Sequence, residues 1–336
     1  MGRRTGGQAA AFGSLCIFTL LAAPQVASAD EGGISFWLPG LFGSLAATPG
    51  VAGWSWATIY IHEEVAAAAG AQFPRGGRID IGISGLGDLA AFGPTYVFAT
   101  PVLGGQLSAS LFGVAGRSVG SAALSLAGPM GNTIALARTQ ELTSFGDVLP
   151  QITLKWNSGV NNYMVYGAGD IPVGDYDPNR LVNLGIGHGA IDFGGGYTYF
   201  DPKAGNEFSG VAGLTYNFKN TSTQYQNGID FHFDWGASHF FKQQFQLGLV
   251  GYYFQQVTDD VGSPASLDGF LSRVAGIGPQ VGFLFPLGDA QGYINVKGYK
   301  EFAAQNRPEG WNAWLTFAIS PKAPETAPAA IPTYHK

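Results

Sequence analysis

The sequence predicts an all-β fold, a transmembrane antiparallel β-barrel of about 14 strands with 12 or 16 also open, and three observations carry that expectation. The chain is rich in glycine and aromatics, with 51 Gly, 24 Phe, 14 Tyr and 7 Trp, yet only 12% of its residues are charged. An ordinary soluble domain carries about 25% charged residues. No apolar run near the roughly 20 residues of a spanning helix follows residue 30. Third, short stretches alternate apolar and polar side chains, and lipid-facing and lumen-facing positions averaged together give this mixed composition and a mean hydropathy of only +0.11.

The elements follow in chain order. Met1-Gly2-Arg3-Arg4, an apolar run from Ala9 to Ala23 and the small-x-small site Ala27-Ser28-Ala29 mark residues 1–29 as a cleaved secretory signal. The run is shorter than the about 18 residues of a membrane anchor, and Arg3-Arg4 lacks the residues that follow a twin-arginine pair. Cys16, the only cysteine, lies mid-run and not at a lipoprotein cleavage point, so no disulfide, thiolate nucleophile or cysteine–metal site is expected in the mature chain. Residues 30–53, with Phe36, Trp37 and Phe42 among Gly and Pro, read as a periplasmic or plug-like segment ahead of a barrel over residues 54–320.

In the first half the expected strands are Trp54 to Ile61, Arg78 to Gly85, Thr95 to Val102, Gln106 to Gly116, and either Val119 to Leu126 or Thr133 to Arg138. External loops are expected at Val65 to Gly77 and Gly128 to Gly146. The second half alternates more clearly. Ile152, Leu154 and Trp156 oppose Thr153, Lys155 and Asn157; Phe208, Leu214, Tyr216 and Phe218 oppose Ser209, Thr215, Asn217 and Lys219. Phe231, Phe233 and Trp235 oppose Asp230, His232 and Asp234, and Ile294, Val296 and Phe302 oppose Asn295, Lys297 and Glu301. Trp311, Leu315, Phe317 and Ile319 share the face of the last strand. A soluble sandwich alternates too, but stretches of about 10 to 12 residues tipped with aromatics suit a tilted strand crossing a bilayer.

Short connections at Ser158-Gly159, Pro202 to Gly205, Lys242-Gln243 and Pro286 to Gly288 interleave with longer ones at Ile171 to Gly189, Asn220 to Asn227, Thr258 to Ser272 and Ala303 to Gly310. Short periplasmic turns and long external loops are the sidedness of outer-membrane barrels. This parity sends the last strand down and leaves residues 321–336, rich in Pro and Ala, as a disordered periplasmic tail.

The wet faces supply the lumen-lining candidates Lys155, Lys219, Asp230, His232, Asp234, Lys297 and Glu301. Asp230, His232 and Asp234 read either as a charged constriction or as ordinary lining balanced by Lys155, Lys219, Lys297 or Arg273. The loop Gly169 to Gly189 is long for an unstructured connection. Its Asp175, Asp177 and Arg180 make it either a gate that folds inward or a surface loop stiffened by Pro172 and Pro178. No metal is expected, since His62, His188, His232 and His239 show no second ligand pair at suitable spacing. Nor is an enzyme: Ser238 and His239 point to opposite faces, and no Gly-x-Ser-x-Gly elbow occurs. Gly194-Gly195-Gly196 lacks the Lys-Ser/Thr of a phosphate loop, so no cofactor is expected. A pI near 5.3 argues against nucleic acid as a partner.

Phe145-Gly146-Asp147, Gly169-Asp170-Ile171-Pro172-Val173-Gly174, Arg180-Leu181-Val182-Asn183-Leu184-Gly185-Ile186-Gly187-His188 and Gly195-Gly196-Tyr197-Thr198-Tyr199 together resemble the meta-pathway phenol-degradation family of outer-membrane transporters. Gln226-Asn227-Gly228, Gly251-Tyr252-Tyr253, Gly278-Pro279-Gln280 and Arg307-Pro308-Glu309-Gly310-Trp311 fit the same family, so the resemblance covers about residues 50 to 320. It implies a barrel in the bacterial outer membrane for uptake of small hydrophobic or aromatic solutes, passive or loop-gated, and no established binding residues. The expected partners are outer-membrane lipid, such a solute and the outer-membrane assembly machinery. The alternative is a non-conducting structural barrel whose external loops bind a partner.

Overall fold

The computed structural model describes residues 35–72, 78–127, 132–262 and 271–322, and its regular elements are strands. The expected signal, the first residues of the plug-like segment and most of the Pro/Ala-rich tail lie outside the described residues. Twelve strands follow in order: β1 Gly53–Gln72, β2 Arg78–Val97, β3 Gln106–Ala127, β4 Thr133–Ser158, β5 Asn161–Asp170, β6 Ala190–Asp201, β7 Asn206–Asn217, β8 Asp230–Phe241, β9 Phe245–Gln256, β10 Arg273–Leu287, β11 Ala290–Gln305 and β12 Glu309–Pro321. Each pairs antiparallel with its sequence neighbour, and β1 closes on β12 from Trp56↔Ile319 to Ala66↔Glu309. Closure leaves no strand edge around the barrel's base, the condition for placing a sheet in hydrocarbon.

The count is twelve rather than about 14 because the first half is built from fewer, longer strands than its alternation suggests. Thr95 to Val97 is the end of β2, while Gln106 to Gly116 and Val119 to Leu126 are one strand whose middle stays paired, as at Gly116↔Ser144 and Ser118↔Leu142. The loops expected at Val65 to Gly77 and Gly128 to Gly146 are mostly strand as well, with β1 running to Gln72 and β4 beginning at Thr133. Small residues hide the pattern here: glycine and alanine mark neither face.

Along the second half the alternation is regular; β8 buries every even-numbered position from Asp230 to Phe240. Outward positions leave large apolar side chains exposed all round, among them Trp56, Leu111, Ile152, Phe193, Leu214, Leu249, Val281 and Leu315. Water would tolerate no such surface, and it is the lipid-facing wall of a transmembrane barrel. Aromatics gather at both rims of this belt. Trp54 meets Tyr96 at a tilt with ring centroids 4.9 Å apart on the short-turn side, and Tyr216 meets Phe218 at 5.5 Å on the other.

The wall is uneven in height. Strands β5 to β9 have 10 to 12 residues, about what a tilted strand needs to cross, whereas β1 to β4 have 20 to 26. β4 pairs with β5 only between Gln151 and Ser158. Above that, the connection 171–189 takes over the edge through Val148↔Ile171 and a Phe145 carbonyl that accepts from the Asp175 N–H at 2.9 Å. The register of β4 shifts between Phe145 and Val148 opposite Gly113 to Ala115, and this bulge turns both Gly146 and Asp147 inward. The apolar core sits inside the barrel, where Trp37 and Ala47 meet Ile61, Leu89, Tyr166, Val211, Tyr252, Val274 and Trp314.

Candidate functional site

A barrel interior lined by polar side chains must be filled by water or by groups that satisfy it. In this chain residues 35–52 fill it. They form no helix or strand, so their backbone groups need partners from elsewhere, and the inward faces of the strands supply them.

Gly40 is gripped on both sides of its residue. Its N–H donates to Asp234 Oδ1 at 2.9 Å, its carbonyl accepts from Lys297 Nζ, and the Phe42 N–H donates to Asp234 Oδ2 at 3.1 Å. Gly40 has φ +92°, and a Cβ there would lie 3.0 Å from the Tyr299 ring, so both conformation and space call for glycine. Further along, the Leu45 N–H donates to Glu207 Oε1 at 3.0 Å and the Ala47 N–H to Thr198 Oγ1 at 3.1 Å. Ser44 Oγ shares hydrogen bonds with Ser238 at 2.9 Å and Gln280 at 2.7 Å. Lys155 Nζ donates to the Thr48 carbonyl at 3.3 Å, and Gln106 clasps both polar backbone atoms of Gly50 at 2.7 and 2.9 Å.

An aromatic cluster forms the other half of the site. Trp37, 2% exposed, stacks on His232 with centroids 3.5 Å apart and planes 14° from parallel. Phe42 meets Tyr166 edge-on at 5.2 Å. Under the stack, His232 Nε2 lies 3.0 Å from Asp192 Oδ2 and 3.2 Å from the Tyr166 hydroxyl, and Thr215 donates to the same Asp192 oxygen at 2.6 Å. Asp230 accepts from Asn217 Nδ2 at 2.9 Å.

Of the lumen-lining candidates, Asp230, His232, Asp234, Lys297 and Glu301 all point inward and are buried. The structure brings Asp234 and Lys297 together on Gly40, and Lys155 acts on the same segment nearer the short turns. Glu301 stands apart, accepting from the Tyr252 hydroxyl at 2.9 Å and the Gly310 N–H at 2.8 Å. Lys219 is a correction. β7 ends at Asn217, and after the Phe218 N–H donates to the Gly189 carbonyl at 2.9 Å the chain leaves the wall, so Lys219 is exposed in the connecting loop. Sequence reasoning missed Asp192, Tyr166 and Glu207. Tyr166 and Asp192 belong to strands whose glycines blur the alternation, while Glu207 lies one position ahead of the stretch that was read.

The connection 171–189 is held from its underside. Asp147 takes the Gly174 N–H at 2.7 Å on one oxygen and the Ile186 N–H at 2.7 Å on the other. Arg180 Nη1 bonds Asp175 Oδ1 at 2.7 Å, while Asp177 lies 3.9 Å from Arg180 Nε. The Arg180 hydrogen bond, seconded by Ser144, holds the Asp175 carboxyl below its ordinary range, and the Asn179 backbone does the same for Asp177. Val182, Leu184 and Ile186 are buried, so this connection folds against the inner wall. Among the described residues no group of three His, Cys, Asp or Glu is placed to hold a metal. Ser238 is buried inside while His239 faces outward, as their parity predicts.

A family model described as "Putative MetA-pathway of phenol degradation" matches residues 43–317. Among solved structures, the COG4313 outer membrane channel from Pseudomonas putida F1 aligns with a TM-score of 0.62 at 12% identity, covering 81% of this chain and 97% of that one. At that identity the likeness shows a shared fold. A Pseudomonas aeruginosa FadL homologue aligns with a TM-score of 0.36 at 9% identity, over 80% of this chain and 88% of that one. The CymD monoaromatic hydrocarbon channel gives 0.37 at 7% identity, over 88% and 96%. Both are too distant in shape to bear on this chain. No curated protein matches in sequence.

Proposed function

The chain belongs to the family described as "Putative MetA-pathway of phenol degradation", and from that premise we propose that it is an outer-membrane channel for small hydrophobic, above all aromatic, molecules, closed by its own N-terminal segment. The observation that carries this reading is the seating of residues 35–52. They are held by scattered side-chain bonds to Asp234, Lys297, Glu207, Thr198 and Ser238 rather than by a strand ladder. A segment bound that way can leave or shift without breaking the barrel, because no wall hydrogen bond depends on it.

The solute class follows from the family description and from the pocket that Trp37 occupies. Tyr166 and His232 on the wall offer flat faces to a planar ring, and aromatic pairs add about 0.5–1.5 kcal/mol beyond area burial. A phenol or benzene ring displacing Trp37 would keep the stack. The connection 171–189, pinned by Asp147 and by Arg180 with Asp175, covers the outer end of the same interior and serves as the external gate.

The test compares full-length protein with a variant lacking residues 35–50, both in planar bilayers and in liposomes loaded for aromatic-solute uptake. Full-length protein should give small, infrequent conductance steps and measurable uptake of a phenol, and the deletion should raise conductance at least about tenfold, the equivalent of 1.4 kcal/mol of lost closure. Two silent proteins would instead support a non-conducting barrel whose loops bind a partner.

A further inference from the structure

Beyond the membrane belt the four long strands reverse the polarity of the barrel. On the outward face, Arg117 bonds Glu141 at 2.6 Å and approaches Asp88 at 3.7 Å, Arg78 bonds Asp80 at 2.8 Å, and Ser121 meets Thr139 at 2.9 Å. Charged groups so placed would be costly in hydrocarbon. This part of the wall therefore stands in water above the lipid, and the aromatic and acidic pair Trp311 and Glu64, 3.3 Å apart, marks its base.

The face turned toward the barrel axis is apolar over the same height. The inward parity set by the buried Ile61 and Leu89 runs up β1 and β2 through Ile83, Ile81 and Ile79. Register then aligns Ile81 with Leu124 and Leu124 with Leu136, and Ile79 with Leu126 and Leu126 with Ile134. These rows are only half-buried on β2 and β3, and on β4 Ile134 and Leu136 are 62% and 66% exposed. A Cβ added at the inward Gly87 would meet nothing within 4 Å, so space lies open in front of the sheet. Formal charge on this face is confined to its margins, at Glu63 below and at Arg138, whose guanidinium turns to Gln140 and the Asn179 carbonyl.

Downward the face meets the apolar side chains of the connection 171–189. Leu181 and Val182 of the gating connection lie over Gly120 at its foot. Leu184 then joins Leu142, Leu89 and Ile61 in the interior cluster that holds Trp37.

We propose that the axis-facing side of this raised wall is a collection surface for neutral apolar solutes, which it binds from the external water and delivers over Leu181 and Val182 into the interior. The assignment rests on the channel reading and deepens it. A neutral small molecule is the occupant because the face lacks charge at its centre, lies above the lipid chains and meets the apolar side chains of the connection 171–189; contiguous exposed apolar surface of this kind marks a binding site.

The full-length protein in lipid nanodiscs is irradiated with a neutral aromatic diazirine and the labelled peptides are mapped. Labelling should concentrate on residues 79–83, 122–126 and 134–136. It should fall at least about fivefold in Ile81→Asp with Leu124→Asp, since one lost apolar side-chain contact is worth about 1 kcal/mol or more. The outward pair Gly82→Asp with Ala123→Asp should label as wild type. If the Asp pair does not fold, as heat-modifiable gel mobility reports, Ile81→Ala with Leu124→Ala should still reduce labelling about threefold. Equal labelling of inward and outward variants overturns the proposal. So does transfer of label to these peptides from a phospholipid-borne diazirine, or a dimer that dissolves in the Asp pair. None of these readouts needs transport, so wild-type liposomes that take up no phenol would sink the channel reading while leaving the labelling result to stand or fall by itself.

Discussion

At the scale of single residues, the seating of residues 35–52 depends on a few atoms around Gly40. With φ at +92° and the Tyr299 ring 3.0 Å from a would-be Cβ, Gly40→Val meets both a backbone penalty of about 1–2 kcal/mol and a clash. The expected result is a barrel folded as before with an open-state population raised about tenfold, read as conductance steps in planar bilayers; unchanged steps would mean that the segment does not close the lumen. Asp234→Asn should act in the same direction, because the amide has one acceptor oxygen where the carboxylate has two: of the Gly40 and Phe42 N–H donors one is left without an acceptor and the other keeps only a neutral one, at about 1–3 kcal/mol. The connection 171–189 gives a pH signature instead. Arg180 holds the Asp175 carboxyl below its ordinary value, so the pair stabilises the connection above about pH 4, and that contribution is lost as pH falls through the depressed value. The protection of the Leu184 N–H, which donates to the Asp175 carbonyl at 3.3 Å, against hydrogen exchange relative to its intrinsic rate should fall on acidification below pH ~4. Asp175→Asn should be less protected at neutral pH and lose most of the acid dependence; a variant as protected as wild type would mean that the pair does not hold the connection. Of this site, the sequence shows the even-numbered charges of β8 because they alternate with Phe231, Phe233 and Trp235. It shows nothing of their partners, since Gly40 offers only backbone to Asp234 and Lys297.

For elements, the informative contrast is between two heights on one outward face. Leu249 on β9 is 51% exposed within the belt, and Ala123 on β3 is exposed beside the ion pairs of the raised wall. Leu249→Arg should cost about 2–4 kcal/mol at mid-membrane and block assembly, whereas Ala123→Arg should cost little. Equal failure in detergent-to-lipid folding titrations would bring the raised wall down into the bilayer. The same contrast explains which strands are legible. From β5 onward the strands run 10 to 16 residues, and where bulky side chains mark both faces, as on β7, β8 and β11, period two finds them, while the glycines of β5 and β6 blur it. Strands β1 to β4 outlast the bilayer and exchange greasy for wet halfway along. Val65 to Gln72 and Thr133 to Phe145 therefore look like loops, and the β4 bulge at Gly146 and Asp147 adds a slip of parity in the same stretch.

For the whole molecule, the orientation is open to a direct measurement. Asp259→Cys in the connection between β9 and β10 and Gln243→Cys in the turn between β8 and β9 lie at opposite ends of the barrel, and both positions are exposed. A membrane-impermeant maleimide applied to intact cells should label the first and spare the second; the reverse result would invert the barrel. The seating of residues 35–52 also orders events in time. They are synthesised before any strand, yet their anchors Thr198, Glu207, Asp234, Gln280 and Lys297 lie on β6, β7, β8, β10 and β11, and those strands present one common face only once they have paired with their neighbours. Until then the segment has nowhere to dock. The stretch of chain made first therefore has to wait for strands made long after it before it can reach its place.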